Sequence, residues 1–237
     1  MEYRGANFVV YQQPDGFDGL SRAAIADLAG MGADSVALVA IWSMQTGTSV
    51  TVEKGTDSPS DDCLRDAIAF ARSVGLRVIL KPHVDCKDGP PRTQIAPSDA
   101  DAWWTSYRAF LMHYAGIASS TGCELLCIGT ELSSMQDDGD QWRSLAQAVR
   151  ASGYSGKLTY AANWDAYGSV DFVDALDCVG VDAYFELSSL ADPTAAELAA
   201  AWRPYVDQLG AWQAVHGKPL LITEVGYRPC EACAAQP

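Results

Sequence analysis

Basic residues are scarce in this sequence. Sixteen Lys and Arg stand against 30 Asp and Glu in 237 residues, for a formal net charge of -14. A surface of that sign repels phosphate backbones and anionic membranes, so neither nucleic acid nor membrane is an expected partner. Long hydrophobic runs are also missing: nothing approaches the roughly 20 apolar residues of a membrane span. The opening MEYRGANFVVYQQ has no charged stretch followed by an apolar one, so no signal peptide is visible. The chain is therefore expected to be cytoplasmic, or the mature or trimmed form of a secreted protein. A disulfide framework is lacking as well, because the seven cysteines are odd in number and irregular in spacing. Cys123, Cys127 and Cys178 fall in or beside apolar runs and read as small core residues. Cys230 and Cys233 form a CxxC, but no second CxxC or His pair exists to complete a metal site. A terminal disulfide or two free thiols is the expectation there.

What is present is an alternation of short apolar runs and longer amphipathic ones. Candidate strands are NFVVY (7–11), SVALVAIW (35–42), RVILKPH (77–83), ELLCIGTE (124–131), KLTYAA (157–162), CVGVDAY (178–184) and PLLITEV (219–225). Six helical patterns connect them, at 20–32, 58–75, 97–122, 140–153, 169–176 and 193–217, several bounded by Ser, Asp or Gly cap residues. The strands are almost continuously apolar, which is how strands covered on both faces read. Strand–helix alternation with such strands implies a parallel sheet with right-handed crossovers. No linker or low-complexity tract interrupts residues 1–237, so one domain is expected. A doubly wound dinucleotide fold needs a glycine-rich loop after an early strand, and the first strand runs instead into QQPDGFDG. Polar and aromatic residues gather at the C-terminal strand ends, which favours the (β/α)8 TIM-barrel type, whose sites lie at that mouth.

Two strand ends match. LLCIGTE and LLITE both run from apolar residues into Thr-Glu, ending on Glu131 and Glu224. In a parallel barrel both ends face one mouth. Two carboxylates flanking a pocket suit glycosidic bond cleavage, one protonated to donate to the leaving oxygen and one ionised to attack. A single Glu at such a place is as readily a salt-bridge or helix-cap residue; the matched pair favours chemistry. Around them, Asn163 is a candidate to hydrogen-bond a sugar hydroxyl or a catalytic carboxylate, His83 to bind a hydroxyl, though a lone His is more often a satisfied structural residue, and Tyr184 to donate to the nucleophile. Asp182 and Asp85 are further polar candidates, and Trp42 and Trp164 offer flat faces for sugar rings. Trp103, Trp104, Trp142, Trp202 and Trp212 lie in helical patterns and read as packing residues. A Schiff-base mechanism on the same fold would need a strand-associated lysine. Lys157 begins its strand at the wrong end, and Lys81 precedes a proline inside its strand.

Taken in order, LVAIW, KPHVD, CIGTEL, YAANWD, VGVDAYF and PLLITEVGYR resemble glycoside hydrolase family 113, β-mannanases of the large retaining (β/α)8 clan. The likeness runs from the first strand to Arg228. It implies Glu131 as general acid/base and Glu224 as nucleophile. It also implies a covalent glycosyl-enzyme, net retention, an oligo- or polysaccharide substrate, and no metal or organic cofactor. Glucan or xylan in place of mannan, or a barrel that binds carbohydrate without turnover, are the alternatives. One departure stands out. The family closes its barrel with an aromatic-rich eighth strand, whereas this sequence ends 13 residues after Glu224, in RPCEACAAQP. The eighth β/α unit is therefore expected to be missing, leaving a fragment or an open barrel.

Overall fold

The computed structural model describes residues 2–11, 17–228 and 230–235. Seven strands form one parallel sheet in sequence order: β1 (Gly5–Val9), β2 (Ser35–Met44), β3 (Arg77–Cys86), β4 (Leu125–Thr130), β5 (Lys157–Asn163), β6 (Val179–Asp182) and β7 (Leu220–Glu224). The sheet curls as a (β/α)8-type barrel does, but β1 and β7 do not pair. Among the described residues there is no eighth strand, and no helix is long and apolar enough to cross a membrane.

Five α-helices cover the outside: α1 (Gly19–Gly30), α2 (Asp61–Ser73), α3 (Ala100–Thr121), α4 (Gly139–Ala151) and α5 (Ala195–His216). Their starts follow local chemistry. Asp18, Ser60 and Asp99 each accept a backbone N–H of the first turn, and Thr194 with Glu197 closes a reciprocal capping box. The sixth helical pattern, 169–176, does not become an α-helix. It forms two short 3₁₀ turns, Tyr167–Ser169 and Val173–Ala175. Eight residues that include two valines and two aspartates cannot repay helix nucleation without a longer apolar face.

The main core lies between the sheet and α2–α4. Trp103, Tyr107, Trp142, Tyr160 and Phe172 form a wholly buried aromatic stack there. Cys123, Cys127 and Cys178 are buried, and Cys230 and Cys233 are free thiols. The segment around Ala234 folds back onto the chain after β6, where its carbonyl accepts the N–H groups of Leu187 and Ser188.

Candidate active site

Both Thr-Glu ends lie at a one-residue bulge. Between β4 and β5 the pairing steps from Cys127–Thr159 to Thr130–Ala161, three residues against two. Between β6 and β7 it steps from Val181–Ile222 to Asp182–Glu224, so Thr223 is extra. A bulge re-aims the strand end and frees backbone groups that need other partners. On β4 the Ile128 carbonyl accepts from the Tyr107 hydroxyl (2.8 Å). On β7 the Thr223 carbonyl accepts from the Asn7 amide (2.9 Å), a link across the gap from β1. Gly129 is required in the first bulge: a Cβ there would stand 2.7 Å from Trp142 and 2.8 Å from Tyr160. The chain then turns at Glu131, whose φ of 52° lies in the left-handed region. That conformation costs a residue with a Cβ about 1–3 kcal/mol and is stored mostly at functional sites. The Glu131 N–H donates to the Ala161 carbonyl (2.8 Å), which holds the turn.

The two carboxyl groups sit in unlike surroundings. Burial pushes Glu131 up, with Asp182 and Glu224 adding to the shift and Arg92 opposing it, and the carboxyl arrives at about 7. Glu224 instead is surrounded by donors. Its Oε1 accepts from the Lys81 ammonium, and its Oε2 accepts from the Tyr184 hydroxyl (2.7 Å). Both oxygens are thus occupied as acceptors, the pattern an ionised carboxylate satisfies.

A short chain of contacts joins them. Arg92 Nη1 stands 3.8 Å from Glu131 Oε2 and donates to His83 Nδ1 (2.7 Å), while Arg92 Nη2 reaches Asp85 (2.5 Å). Because Nδ1 is the acceptor, the His83 proton sits on Nε2. Burial, then Arg92 and Lys81, keep the ring well below its usual range, so it is neutral. His83 Nε2 points toward Glu224 Oε1 at 3.8 Å and has no hydrogen-bond partner. Beneath lies the buried pair of Lys81 and Asp182 (3.1 and 3.3 Å), with the Thr223 hydroxyl on Asp182 Oδ1 (2.7 Å).

The structure thus gathers Glu131, Glu224, His83, Asp182 and Tyr184. Register sets Asn163 level with Asp182, and Asp182 level with Glu224. The Asn163 side chain donates to Asp165 (2.6 Å) and lines a polar hollow of about 340 Å³ with Ser133 and Gln136. Two expected residues stand differently. Trp42 pairs in register with Val84, on the outer face of the sheet, and its ring packs on Phe110, His113 and Tyr114 of α3. Alternation along β2 turns it away from the mouth, so it offers no sugar platform. Asp182 is wholly buried and engaged by Lys81 and Thr223, a counter-ion more than a ligand. Trp164 is half-buried, edge-on to Phe185. Arg92 and Thr223 were not picked out from the sequence, and Lys81 was weighed there only as a Schiff-base candidate. The repeated Thr before Glu was the one visible signal, for Thr223.

A groove of about 420 Å³ opens beside Glu224, between Tyr3–Asn7 of the β1 side and Leu221–Val225 of β7, with Lys81 and Tyr184 in its wall. A second hollow of about 380 Å³ holds Glu131 with Asp85, Arg92 and Thr93. Among the described residues no cluster of His, Cys, Asp and Glu is arranged to hold a metal ion.

The profile of Glycoside Hydrolase Family 113 matches residues 17–237. Among solved structures, the chain is 28% identical to the β-mannanase AaManA of Alicyclobacillus acidocaldarius in complex with ManMIm. That match has a TM-score of 0.88 and covers 100% of this chain and 76% of that one. Two further β-1,4-mannanase structures of the family are each 27% identical. Their TM-scores are 0.85 and 0.82, covering 100% and 94% of this chain and 77% and 72% of theirs. Among curated proteins no relative matches the sequence.

Proposed function

The chain belongs to glycoside hydrolase family 113, and from that premise we propose that it hydrolyses β-1,4-mannosidic bonds of mannan or manno-oligosaccharides with Glu224 as nucleophile and Glu131 as acid/base. The observation that carries the assignment is the electrostatic split between two carboxyl groups at matching strand ends. Glu131, pushed to about 7, retains a proton to donate. Glu224, with ammonium and phenol on its two oxygens, is dressed as an anion.

In the first step a Glu224 oxygen bonds to the anomeric carbon as the glycosidic C–O bond breaks. Its electron pair goes to the leaving oxygen, which takes the proton from Glu131. In the second step Glu131, now a carboxylate, takes a proton from water. The water oxygen bonds to the anomeric carbon and releases Glu224. The sugar leaves with its configuration retained. His83 Nε2–H, buried, unpartnered and beside Glu224, is placed to donate to a sugar hydroxyl at the reacting ring. Asn163 and Trp164 are read as contacts further along the chain of sugars, and Tyr184 as the residue that fixes the free oxygen of the nucleophile.

The test is sugar release from mannan, xylan and β-glucan by the purified, folded chain beside Glu224→Gln, with the anomer of the first product followed by proton NMR. Release from mannan by the wild type alone, with retention, is the expected result. Inversion would remove Glu224 as nucleophile. Release from xylan or glucan instead would move the substrate, and saccharide binding without release would mark a barrel that has lost turnover.

A further inference from the structure

We infer that Lys81 is a positioning residue for this reaction: its buried ammonium reaches across the barrel from β3, ties the nucleophile's edge strand to the interior, and holds Glu224 as an aimed carboxylate. The inference rests on Glu224 being the nucleophile.

Among the described residues β7 has a backbone partner only on its β6 side, and its other edge faces the groove toward β1. Lys81 gives the Glu224 side chain a fixed partner from the barrel interior. Its side chain is 1% exposed, and its ammonium sits between both oxygens of Asp182 and Oε1 of Glu224. Those acceptors occupy the ammonium, so it has no donor left for substrate. Burial pulls Lys81 down, but Asp182 and Glu224 together outweigh it and leave it raised. That rules against a neutral amine nucleophile at this site.

The charge count explains why two carboxylates share one ammonium. One cation and two anions leave a single negative charge. Burial raises Asp182, which Lys81 and the Thr223 hydroxyl oppose; Asp182 is wholly enclosed, and Glu224 at the mouth is the partly exposed member of the three. When Glu224 becomes a glycosyl ester it loses its charge, and Lys81 then stands one-to-one with Asp182. Without Asp182 the intermediate would hold an unpaired buried ammonium, which is strongly unfavourable. Asp182 therefore lets Lys81 serve the free enzyme without penalising the intermediate. The other groups facing this cluster are Tyr184 on the second Glu224 oxygen, neutral His83, the buried Cys127 thiol and, at longer range, Glu131 and Arg92.

The experiment compares the wild type with Lys81→Met and with Lys81→Met/Asp182→Asn, which removes the buried pair together and so leaves no orphaned charge. The expected outcome for both variants is a fall in kcat of about 10- to 100-fold, the worth of one hydrogen bond to a charged group. KM should change little, and the acid limb of the kcat/KM profile should move to higher pH. A carboxyl carbon-13 NMR titration of Glu224 needs no turnover and should show the same upward displacement. A folded double variant with wild-type kcat and acid limb would reduce Lys81 to a structural role. A third reading uses the wild type alone: the Lys81 Nζ nitrogen-15 shift should change when a slow 2-fluoro-mannosyl inhibitor esterifies Glu224. An unchanged shift on an esterified enzyme would overturn the inference even if neither variant folds. A wild type that releases no sugar and takes no label would instead count against the proposed function, and the carboxyl titration would still decide whether Lys81 controls Glu224.

Discussion

Strand β4 pairs with β3 on one side and β5 on the other, and all six of its residues are buried; among the described residues β7 pairs only with β6, and none of its five is buried. Each runs into Thr-Glu at a bulge, yet the glutamates are held by different physics. Glu131 comes off a dry, doubly paired strand and owes its setting to burial and to a strained backbone turn. Glu224 comes off an open edge and owes its setting to Lys81 and Tyr184. The difference suits the proposed chemistry. An acid that must keep its proton near neutrality gains from a low-dielectric wall, whereas an anion needs donors.

The largest break in that comparison is Glu224→Gln. It removes the charge on the open side and should lower kcat by about 10⁴-fold or more, as loss of a nucleophile commonly does. The melting temperature should stay within a few degrees. Next is the proton on the closed side. With protonated Glu131 as the proposed donor, kcat/KM should fall as pH rises through about 7. Glu131→Gln should abolish that alkaline limb and cost about 10²- to 10⁴-fold in kcat; a limb that survives the substitution belongs to another group. The packing contrast is sharpened by truncating matched leucines. Leu126→Ala in buried β4 should lose about 2–5 kcal/mol in urea unfolding. Leu221→Ala in β7, where the side chain is only partly covered, should lose clearly less, and equal losses would mean that the edge is as well packed as the centre. Smallest is Asn7→Ala, which deletes the side-chain link from β1 to the Thr223 carbonyl. It should cost about 1 kcal/mol or less, with a modest fall in kcat if the link helps aim Glu224.

The seven strands were legible because each is a near-continuous apolar run, and they line up in the parallel sheet in chain order. The twin Thr-Glu ends were legible because the same local pattern occurs twice. Tyr184 was anticipated as a donor to the proposed nucleophile, and its hydroxyl lies on Glu224 Oε2. Trp42 was misplaced because a strand end shows which residues are near the mouth but not which way each one faces. The pairing with Val84 decides that, and it points the ring at α3. Arg92 opens a single 3₁₀ turn, Arg92–Gln94, with no sequence pattern to mark it.

Lys81 shows most plainly where the sequence stops. Its partners are 101 and 143 positions away, and beside Pro82 it gives no local sign of a role. The sequence by itself determined the alternation of strand and helix, the C-terminal mouth and the two candidate carboxylates. All of these follow from hydrophobic period and residue type over a few neighbouring positions. Only the tertiary structure decided which carboxyl is dry and which is charge-paired. It also decided which aromatic faces the mouth, and that one lysine serves two acids. Those outcomes depend on distances between strands remote in the chain, and Coulomb energy and desolvation are functions of distance and burial, not of sequence separation.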